Sequence, residues 1–183
     1  MRLFIAVLLN DQVKLSLQKM QEQLRSQATR GSFTRPENFH LTMAFLGETS
    51  ETKLPVLHRI IGDINFPPFE FSLKHTGCFK HGGKELWWAG VDPNEPNLSY
   101  LKSIHGQLIR LLEKEGFPVD KRPFKAHITL GREIRHTEPI GLDCPEIVVR
   151  VDRVSLMKSE RIDGGVRYEE MIKAAERDLS IIN

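Results

Sequence analysis

The chain has little of what would place it among membrane, secreted or metal-stabilised proteins. Its 183 residues include two cysteines, Cys78 and Cys144, which stand apart without a Cys-x-x-Cys spacing. This pattern indicates free thiols, excludes a disulfide scaffold and gives no support to a zinc site. The apolar run from Leu3 to Leu9 is too short to span a bilayer, and no small-residue cleavage site follows it. We therefore expect a cytoplasmic protein with no membrane contact and no bound metal.

The chain also lacks a strong excess of charge of either sign. Lys and Arg number 26 against 24 Asp and Glu, which gives a formal net charge of +2. Proteins that coat long nucleic acids usually carry a larger, clustered basic excess. This balance suits recognition of a small anion or of the end of an RNA strand. Because no linker or low-complexity segment interrupts the sequence, we expect residues 1–183 to form a single two-lobed domain.

Two short segments, however, nearly repeat each other. HLTM begins at His40 and HITL begins at His127, and each places a threonine, Thr42 or Thr129, two residues after its histidine. We refer to them as the first and second tetrad. Because side chains alternate along a β-strand, histidine and threonine share one face and the apolar residues share the other. Two such strands side by side would gather two imidazoles and two hydroxyls around one point, with the apolar residues anchored in a core.

The surroundings of the two tetrads are also alike. Each tetrad follows a proline by a few residues and runs into a glycine, as in PENFHLTMAFLG and RPFKAHITLGR. This is typical of a strand that is entered from a rigid turn and left through a flexible one. The alternative is that two half-buried strands expose their histidines by coincidence. The joint repetition of turn, strand and exit favours a shared functional role.

Apolar periodicity and turn residues divide the rest of the chain into further strands and helices. Besides the tetrad strands, they predict strands over 3–9, 69–73, 76–79, 85–91 and 147–157 and helices over 11–27, 52–64 and 97–115. Segment 30–36 is expected to be a loop. Near the C-terminus a strand over 167–174 competes with a helix over 169–178, and the glycine pair before it favours the strand. The order of helix, tetrad strand and hairpin occurs twice, which predicts two similar halves.

The tetrads in these contexts resemble the 2H phosphoesterases, and in particular the RNA 2′,3′-cyclic phosphodiesterases of bacteria and archaea, historically called 2′-5′ RNA ligases. The opening RLFIAV strand and the segment VSLMKSERIDGGVRYE, similar to the family's closing hairpin, extend the resemblance over essentially the whole chain. The resemblance implies a two-lobed α+β fold. Antiparallel sheets would line a central cleft, helices would pack outside, and a pseudo-two-fold axis would relate the tetrads.

The same resemblance implies an activity, which is metal-independent hydrolysis of a terminal RNA 2′,3′-cyclic phosphate to a 2′-phosphate. A weak, reversible 2′-5′ ligation is associated with the family. Opening the ring requires one group to take a proton from water and another to give one to the leaving oxygen, and imidazole can do either at neutral pH. The resemblance assigns the first task to His127 and the second to His40, although the reverse assignment stays open. Thr42 and Thr129 would donate hydrogen bonds to the non-bridging oxygens.

The two copies differ five residues past the histidine. The second copy has Arg132, whose position has the wrong parity to share the face of His127 on a regular strand, but Gly131 permits a bulge there. The resemblance implies that this guanidinium anchors the phosphate. The first copy has Phe45, which is expected to pack in the core, with contact to a nucleobase as the alternative.

Other candidate residues are weaker. Trp87 and Trp88 alternate on a strand, so one should face the core and the other could stack on a base. No role is expected for the remaining histidines, which are predicted to lie on helices or near turns. These are His58, His75, His81, His105 and His136.

Three other functions are compatible with the same residues. The chain could be a non-catalytic module that binds RNA ends, although binding alone would not need two titrating groups. It could use the histidines as metal ligands, although a metal site would have His, Asp or Glu where the threonines stand. It could also be a 2H phosphodiesterase that acts on a small cyclic nucleotide. For the leading hypothesis, the expected partners are RNA 3′ ends bearing 2′,3′-cyclic phosphates, for example those of tRNA halves, bound by a monomer without a cofactor.

Overall fold

The computed structural model describes residues 1–162 and 164–173 of the chain, whose elements follow an order close to the predicted one. The strands are β1 (Arg2–Leu8), β2 (Arg30–Phe33), β3 (His40–Glu48), β4 (Phe69–His81), β5 (Lys84–Val91), β6 (His127–Arg135), β7 (Ile147–Val151), β8 (Ser155–Ile162) and β9 (Gly165–Lys173). The helices are α1 (Asp11–Gln27), α2 (Leu54–Asp63) and α3 (Leu98–Lys114), with short 3₁₀ helices at Pro36–Asn38 and Glu51–Lys53.

The strands form two antiparallel sheets, each of which contains one tetrad. One sheet has the strand order β3-β1-β8-β9 and carries the first tetrad on β3. The other has the order β2-β6-β5-β4-β7 and carries the second tetrad on β6. Because β3 and β6 also contact each other, the two sheets meet along their tetrad strands. The predicted α+β fold with two antiparallel sheets is confirmed.

The helices pack on the sheets through the faces that their apolar spacing predicts. Helix α1 buries Leu17, Met20 and Leu24, which recur at helical spacing, and α2 and α3 bury leucines and isoleucines in the same way. These side chains join the apolar faces of both sheets in one continuous hydrophobic core, which fixes the strands that carry the tetrads. Among the residues that the structure describes, no helix has the length and apolar character needed to cross a membrane.

Each sheet, with the tetrad that it carries, forms one lobe of the protein. The two lobes are interleaved along the chain. The hairpin β4–β5 follows the first tetrad, yet it pairs with β6 in the sheet of the second tetrad. The hairpin β8–β9 follows the second tetrad, yet it pairs with β1 in the sheet of the first. The predicted repetition of helix, tetrad strand and hairpin is therefore present, but the lobes exchange their hairpins. This exchange ties both lobes to the same core.

Three local predictions are wrong, each because tertiary pairing outweighs the local signal. Within the expected loop 30–36, strand β2 forms because its backbone finds partners along the edge of β6. The single strand predicted over 147–157 divides near Asp152 into β7 and β8, which belong to different sheets. The separate strands predicted over 69–73 and 76–79 are one strand, β4, with a register shift between them.

The C-terminal hairpin is confirmed. Strands β8 and β9 pair along their length, and the chain returns at Gly164, whose φ of +74° favours glycine. The strand predicted over 167–174 is present through Lys173. Residue Ala174 and the later part of the competing helix over 169–178 lie outside the described residues.

Candidate active site

Each tetrad lies at the start of its strand, and its side chains alternate as predicted. In β3, His40 and Thr42 are partly exposed on one face, whereas Leu41 and Met43 are at most 2% exposed on the other. Strand β6 repeats this pattern from its own histidine onward. The apolar pairs therefore anchor both strands in the core while the histidine faces stay accessible.

Residues of both tetrads line one cleft of about 810 Å³. Thr42 lines it from β3, and His127, Thr129 and Arg132 line it from β6. His40 lies directly behind Thr42, whose hydroxyl oxygen is 2.9 Å from the His40 Nε2 atom. His40 is also close enough to His127 and Arg132 for their charges to act on its pKa. The fold thus brings together the five side chains singled out in the sequence.

The backbone holds both imidazoles in the same orientation. The Nδ1 atom of His40 lies 2.7 Å from the carbonyl oxygen of Asn38, and that of His127 lies 2.7 Å from the carbonyl oxygen of Lys125. Because a carbonyl oxygen only accepts, each Nδ1 carries a proton and donates it, and each neutral ring keeps a lone pair on Nε2. In His40 that lone pair accepts a hydrogen bond from the hydroxyl of Thr42. The two Nε2 atoms are therefore the ones able to exchange protons in the cleft.

Two aromatic rings flank each imidazole, with centroid separations between 4.8 and 6.3 Å. They are Phe4 and Tyr168 beside His40, and Phe79 and Trp88 beside His127. These rings restrict the rotation of the imidazoles and shield them from water. Sequence reasoning gave Phe4, Phe79 and Tyr168 no role. They reach the histidines through strand pairings between distant segments, which no local pattern reveals.

Both histidines have a lowered pKa. Burial is the main cause at His40 and lowers its pKa to about 4, assisted by the charges of Arg132 and His127 and opposed by the hydrogen bond to Asn38. Burial also lowers the pKa of His127, with smaller contributions from the charges of Arg132 and Lys125 and an opposing hydrogen bond to the Lys125 carbonyl. Both rings therefore lose their proton more readily than a free imidazole.

A β-bulge in each tetrad strand changes the alternation of side chains. The extra residue is Met43 in β3, opposite β1, and Leu130 in β6, opposite β5. Each bulge turns the residue five positions after the histidine, Phe45 or Arg132, toward solvent on the histidine face. The bulge expected at Gly131 is thus found at the Leu130–Gly131 step, and it places Arg132 in the cleft.

The expectation that Phe45 packs in the core is wrong. Its side chain is 58% exposed and lines the cleft, with the ring of Phe4 at 6.3 Å. The reason is the bulge at Met43. Neither glycine nor proline marks that bulge in the sequence, so regular alternation was the natural expectation.

Two cations of the cleft are available to an anion. In the described ranges, Arg132 and Lys125 form no ion pair, whereas Lys84 pairs with Glu133 at the rim. The Lys125 ammonium lies 5.3 Å from the centre of the Phe79 ring, a weak interaction that a phosphate could replace. The cleft therefore combines two oriented imidazoles with unneutralised positive charge.

One of the paired tryptophans faces the core, as alternation along the strand predicts. Trp87 is 8% exposed and belongs to the core. Trp88 lies beside His127, and its ring covers Gly77 and Gly90, where a Cβ atom would approach it to 2.5 Å. Its indole nitrogen is buried, although the residue as a whole is partly exposed.

Some residues that were given no role line the cleft. His81 and His105 are among them, and His105 stacks on Phe124 with 4.4 Å between ring centroids. His136 instead forms an ion-pair contact with Glu85, its Nε2 atom 3.0 Å from the carboxylate. These side chains shape the wall of the cleft and the end of the β4–β5 hairpin.

Cysteines add nothing to the site. Burial raises the pKa of the Cys78 and Cys144 thiols, which disfavours the reactive thiolate at neutral pH.

Over residues 1–162 and 164–173, no three His, Cys, Asp or Glu side chains are grouped so that they could hold a metal ion.

Comparison with known proteins gives a consistent result. The family model described as LigT like phosphoesterase matches residues 7–87 and 91–168. The chain is 31% identical over 180 residues to the RNA 2′,3′-cyclic phosphodiesterase of Thermotoga maritima, covering 92% of each chain. It is 34% identical over 142 residues to the RNA 2′,3′-cyclic phosphodiesterase of Archaeoglobus fulgidus, covering 77% of each.

Solved structures show the same fold. The crystal structure of E. coli LigT in apo form superposes with a TM-score of 0.81 at 25% identity and covers 94% of this chain and 95% of that one. The complex of E. coli LigT with 3′-AMP gives a TM-score of 0.80, also at 25% identity, and covers 97% and 98%.

Proposed function

The chain belongs to the LigT-like phosphoesterases, a 2H phosphoesterase family, and on that premise we propose that it hydrolyses the terminal 2′,3′-cyclic phosphate of RNA to a 2′-phosphate. The observation that carries the proposal is that two oriented imidazoles lie near Arg132, which lines the cleft and forms no ion pair within the described part of the chain. Two relatives of the chain are named RNA 2′,3′-cyclic phosphodiesterases. In this proposal a monomer acts in the cytoplasm on RNA 3′ ends, such as those of tRNA halves, with side chains alone.

The reaction requires two proton transfers on opposite sides of phosphorus. The Nε2 lone pair of His127 accepts a proton from water as the water oxygen attacks phosphorus. His40 donates a proton to the 3′ oxygen as the bond between that oxygen and phosphorus breaks, and the phosphate stays on the 2′ oxygen. Each such group typically contributes about 10²–10⁴ in rate. If the 5′ hydroxyl of another RNA end attacks in place of water, the same two proton transfers form a 2′-5′ phosphodiester and release the 3′ hydroxyl, so weak 2′-5′ ligation needs no further groups.

His40 must gain a proton before it can act as the acid. With a pKa of about 4 it is neutral in the free protein near pH 7. An entering phosphodiester anion favours the imidazolium, so substrate binding and protonation are coupled. Once protonated, Nε2 no longer accepts the hydroxyl of Thr42. That hydroxyl can then donate to a non-bridging phosphate oxygen.

Arg132 and the second threonine complete the phosphate site. The guanidinium of Arg132 supplies positive charge and several donors in one plane, which suits two phosphate oxygens at once. Thr129 lies on the same face of β6 and adds a hydroxyl donor. Both would stabilise the charge that grows on the non-bridging oxygens in the transition state.

These protonation requirements give an expected pH dependence. The productive free protein carries one proton on the coupled histidine pair, a state that is most populated between the two pKa values of the pair. Since one pKa is about 4 and the other is lowered from 6.5, kcat/KM should be greatest below pH 6.5. It should fall at higher pH as the remaining proton is lost, and at lower pH as both rings become charged.

Phosphorus NMR of the product tests the proposal. The protein is incubated with an RNA oligonucleotide ending in a 2′,3′-cyclic phosphate, and in parallel with adenosine 2′,3′-cyclic phosphate, because E. coli LigT has been solved with the mononucleotide 3′-AMP. Each reaction is run both with and without excess chelator. We expect a single 2′-phosphomonoester resonance from the RNA.

Four outcomes would contradict the proposal in different ways. An unchanged cyclic phosphate would favour a module that only binds RNA ends. A 3′-phosphate would show that the bond between phosphorus and the 2′ oxygen is the one that breaks. Activity on the mononucleotide alone would identify a small cyclic nucleotide as the substrate, and activity that disappears with chelator would indicate a metal hydrolase.

A further inference from the structure

Gln21 is a buried amide on the apolar side of helix α1. It is 3% exposed and shares the buried side of the helix with Leu17, Met20 and Leu24, which are at most 1% exposed. Burying an amide costs free energy unless hydrogen bonds within the protein replace those that it made to water. The partners of this side chain therefore show what the helix holds in place.

The side-chain amide of Gln21 donates to two backbone carbonyls. Its Nε2 atom lies 2.7 Å from the carbonyl oxygen of Thr34 and 2.6 Å from that of Leu130. Because carbonyl oxygens only accept, the nitrogen and not the oxygen of the amide must face them, and both of its hydrogens are used. The amide therefore joins β6 to the chain just after β2.

Leu130 is the extra residue of the bulge in β6 that directs Arg132 into the cleft. The pairing of β6 with β5 passes from Gly131 to Ile134 and gives Arg132 no partner residue in β5. On its other side Arg132 is paired with Ser32 of β2. A bulge locally disrupts the ladder of hydrogen bonds. The backbone around Arg132 is thus supported from the side of β2, which is the side that Gln21 holds.

The second carbonyl gives the amide a fixed anchor. Thr34 precedes the 3₁₀ helix Pro36–Asn38, which contacts α1. Thr34 also donates its own N–H to the Leu130 carbonyl at 3.0 Å. The Leu130 carbonyl is therefore fixed by two donors, and loss of the Gln21 amide would free it to move together with the step that leads to Arg132.

We propose that Gln21 is a positioning residue for the phosphate site, which holds the bulge of β6 in the conformation that presents Arg132 to the phosphate. The proposal rests on the proposed function and adds to it the group that fixes the arginine from outside the cleft. Gln21 is not among the residues that line the cleft. Its removal acts only as far as Arg132 contributes, because a misplaced guanidinium loses its alignment with the phosphate oxygens.

A double-mutant cycle tests this coupling, with an RNA oligonucleotide ending in a 2′,3′-cyclic phosphate as substrate. We expect Gln21→Met, which keeps the length of the side chain but has no donor, to lower kcat/KM by about 10- to 100-fold. In an Arg132→Gln background the same substitution should change kcat/KM by less than about two-fold, because the guanidinium that it misplaces is absent. A general loss of structure would instead slow both backgrounds alike.

Matched variants separate positioning from stability. Gln27→Met removes another glutamine of α1, whose amide donates to the carbonyl of Gly141, and should leave kcat/KM unchanged. Val13→Ala opens space on the buried side of α1, so it should lower the melting temperature while kcat/KM stays unchanged. Gln21→Asn, whose shorter side chain cannot reach both carbonyls, should lose activity as Gln21→Met does, and it provides the test if Gln21→Met does not fold.

The inference is overturned if folded Gln21→Met or Gln21→Asn keeps the kcat/KM of the wild type. It is also overturned if Gln21→Met slows the Arg132→Gln protein as much as it slows the wild type.

A binding measurement keeps this inference separate from the proposed function. If the wild type does not open the cyclic phosphate, the proposed function fails, and calorimetry with adenosine 2′-phosphate then decides the role of Gln21. Binding that is weaker in Gln21→Met, but is not weakened further when Gln21→Met is added to Arg132→Gln, supports the role. Equal binding by Gln21→Met and the wild type, or no binding by the wild type, overturns it.

Discussion

The lobe of His40 and the lobe of His127 use one backbone arrangement to present different chemistry. In both, Nδ1 donates to the carbonyl two residues earlier, and a bulge follows the tetrad. The side chains placed by that bulge differ, since one is Phe45 and the other is Arg132. The backbone geometry is therefore duplicated, while the groups it delivers to the cleft have diverged.

The surroundings of the two histidines also differ. Tyr168 and Phe4 bury His40, and its pKa falls to about 4. His127 lies in the lobe that also supplies Arg132 and Lys125. The two histidines, which hold equivalent positions in their strands, thus become chemically unequal. Because burial disfavours the imidazolium of His40, its role as proton donor depends on the bound phosphate anion raising its pKa.

The two histidines should give the largest effects, and nearly equal ones, because each supplies one of the two proton transfers that the reaction requires. We expect His40→Gln and His127→Gln each to lower kcat by about 10²–10⁴-fold. Both side chains are partly exposed, so both variants should stay folded by thermal unfolding. Near-normal turnover in either variant, followed by phosphorus NMR, would contradict the mechanism.

A substrate with sulfur in place of the 3′ oxygen separates the two roles. A thiolate leaves without protonation, so this substrate should restore much of the activity of His40→Gln. It should not help His127→Gln, which still lacks the group that accepts the proton of water. Rescue of the His127 variant alone would reverse the assignment.

Arg132 provides the next largest effect. Removing its charge-assisted hydrogen bonds, as in Arg132→Gln, should lower kcat/KM by about 10²–10³-fold. The loss should be the same for substrates with and without a base, because the guanidinium contacts the phosphate. Arg132→Lys should lose less. A loss confined to base-bearing substrates would show that the arginine recognises the base.

The burial of His40 should make folding depend on pH. The pKa is about 4 in the folded protein and near 6.5 in the unfolded chain, so the unfolded chain binds more protons between these values. The associated stability is complete above pH 6.5 and is lost as pH falls toward 4, by roughly 3 kcal/mol at most. Urea unfolding at several pH values between 7 and 4.5 gives the free energy of unfolding as a function of pH. This free energy should fall less steeply with decreasing pH in His40→Gln than in the wild type. His58→Gln, exposed on α2, is the control and should match the wild type, while an unchanged slope in His40→Gln would refute the effect.

The smallest expected effect concerns the strand ends. The chain has positive φ at Gly47 in β3 (+67°) and at Glu133 in β6 (+55°). Gly47→Ala should cost about 1 kcal/mol in the free energy of unfolding, since its site is open and only backbone strain opposes the methyl group. Glu133→Gly should relieve strain and so cost less than Glu133→Val. Denaturant unfolding that ranked the two Glu133 variants in reverse would show that side-chain contacts outweigh φ.

Much of this site could be predicted from sequence because the tetrads carry their own geometry. Alternation in HLTM and HITL fixes which side chains face the core, and Gly131 signals a bulge. The bulge at Met43 has no such signal, so Phe45 was expected in the core. The sequence could therefore place the histidines but not every neighbour.

Other features depend on pairings that local patterns do not encode. Residues 147–157 look like one β-branched run, yet they divide between two sheets because each half finds different partners. The exchange of hairpins between lobes arises in the same way. Tyr168 reaches His40 only because β9 pairs with β8, which pairs with β1.

A crystal structure with a nucleoside 2′,3′-vanadate, which mimics the five-coordinate phosphorus of in-line attack, tests the central geometry most directly. We expect the Nε2 atoms of His40 and His127 to contact the two opposite apical oxygens, with Arg132 on an equatorial oxygen. Vanadate held by one imidazole alone, or bound outside the cleft, would contradict the proposed arrangement.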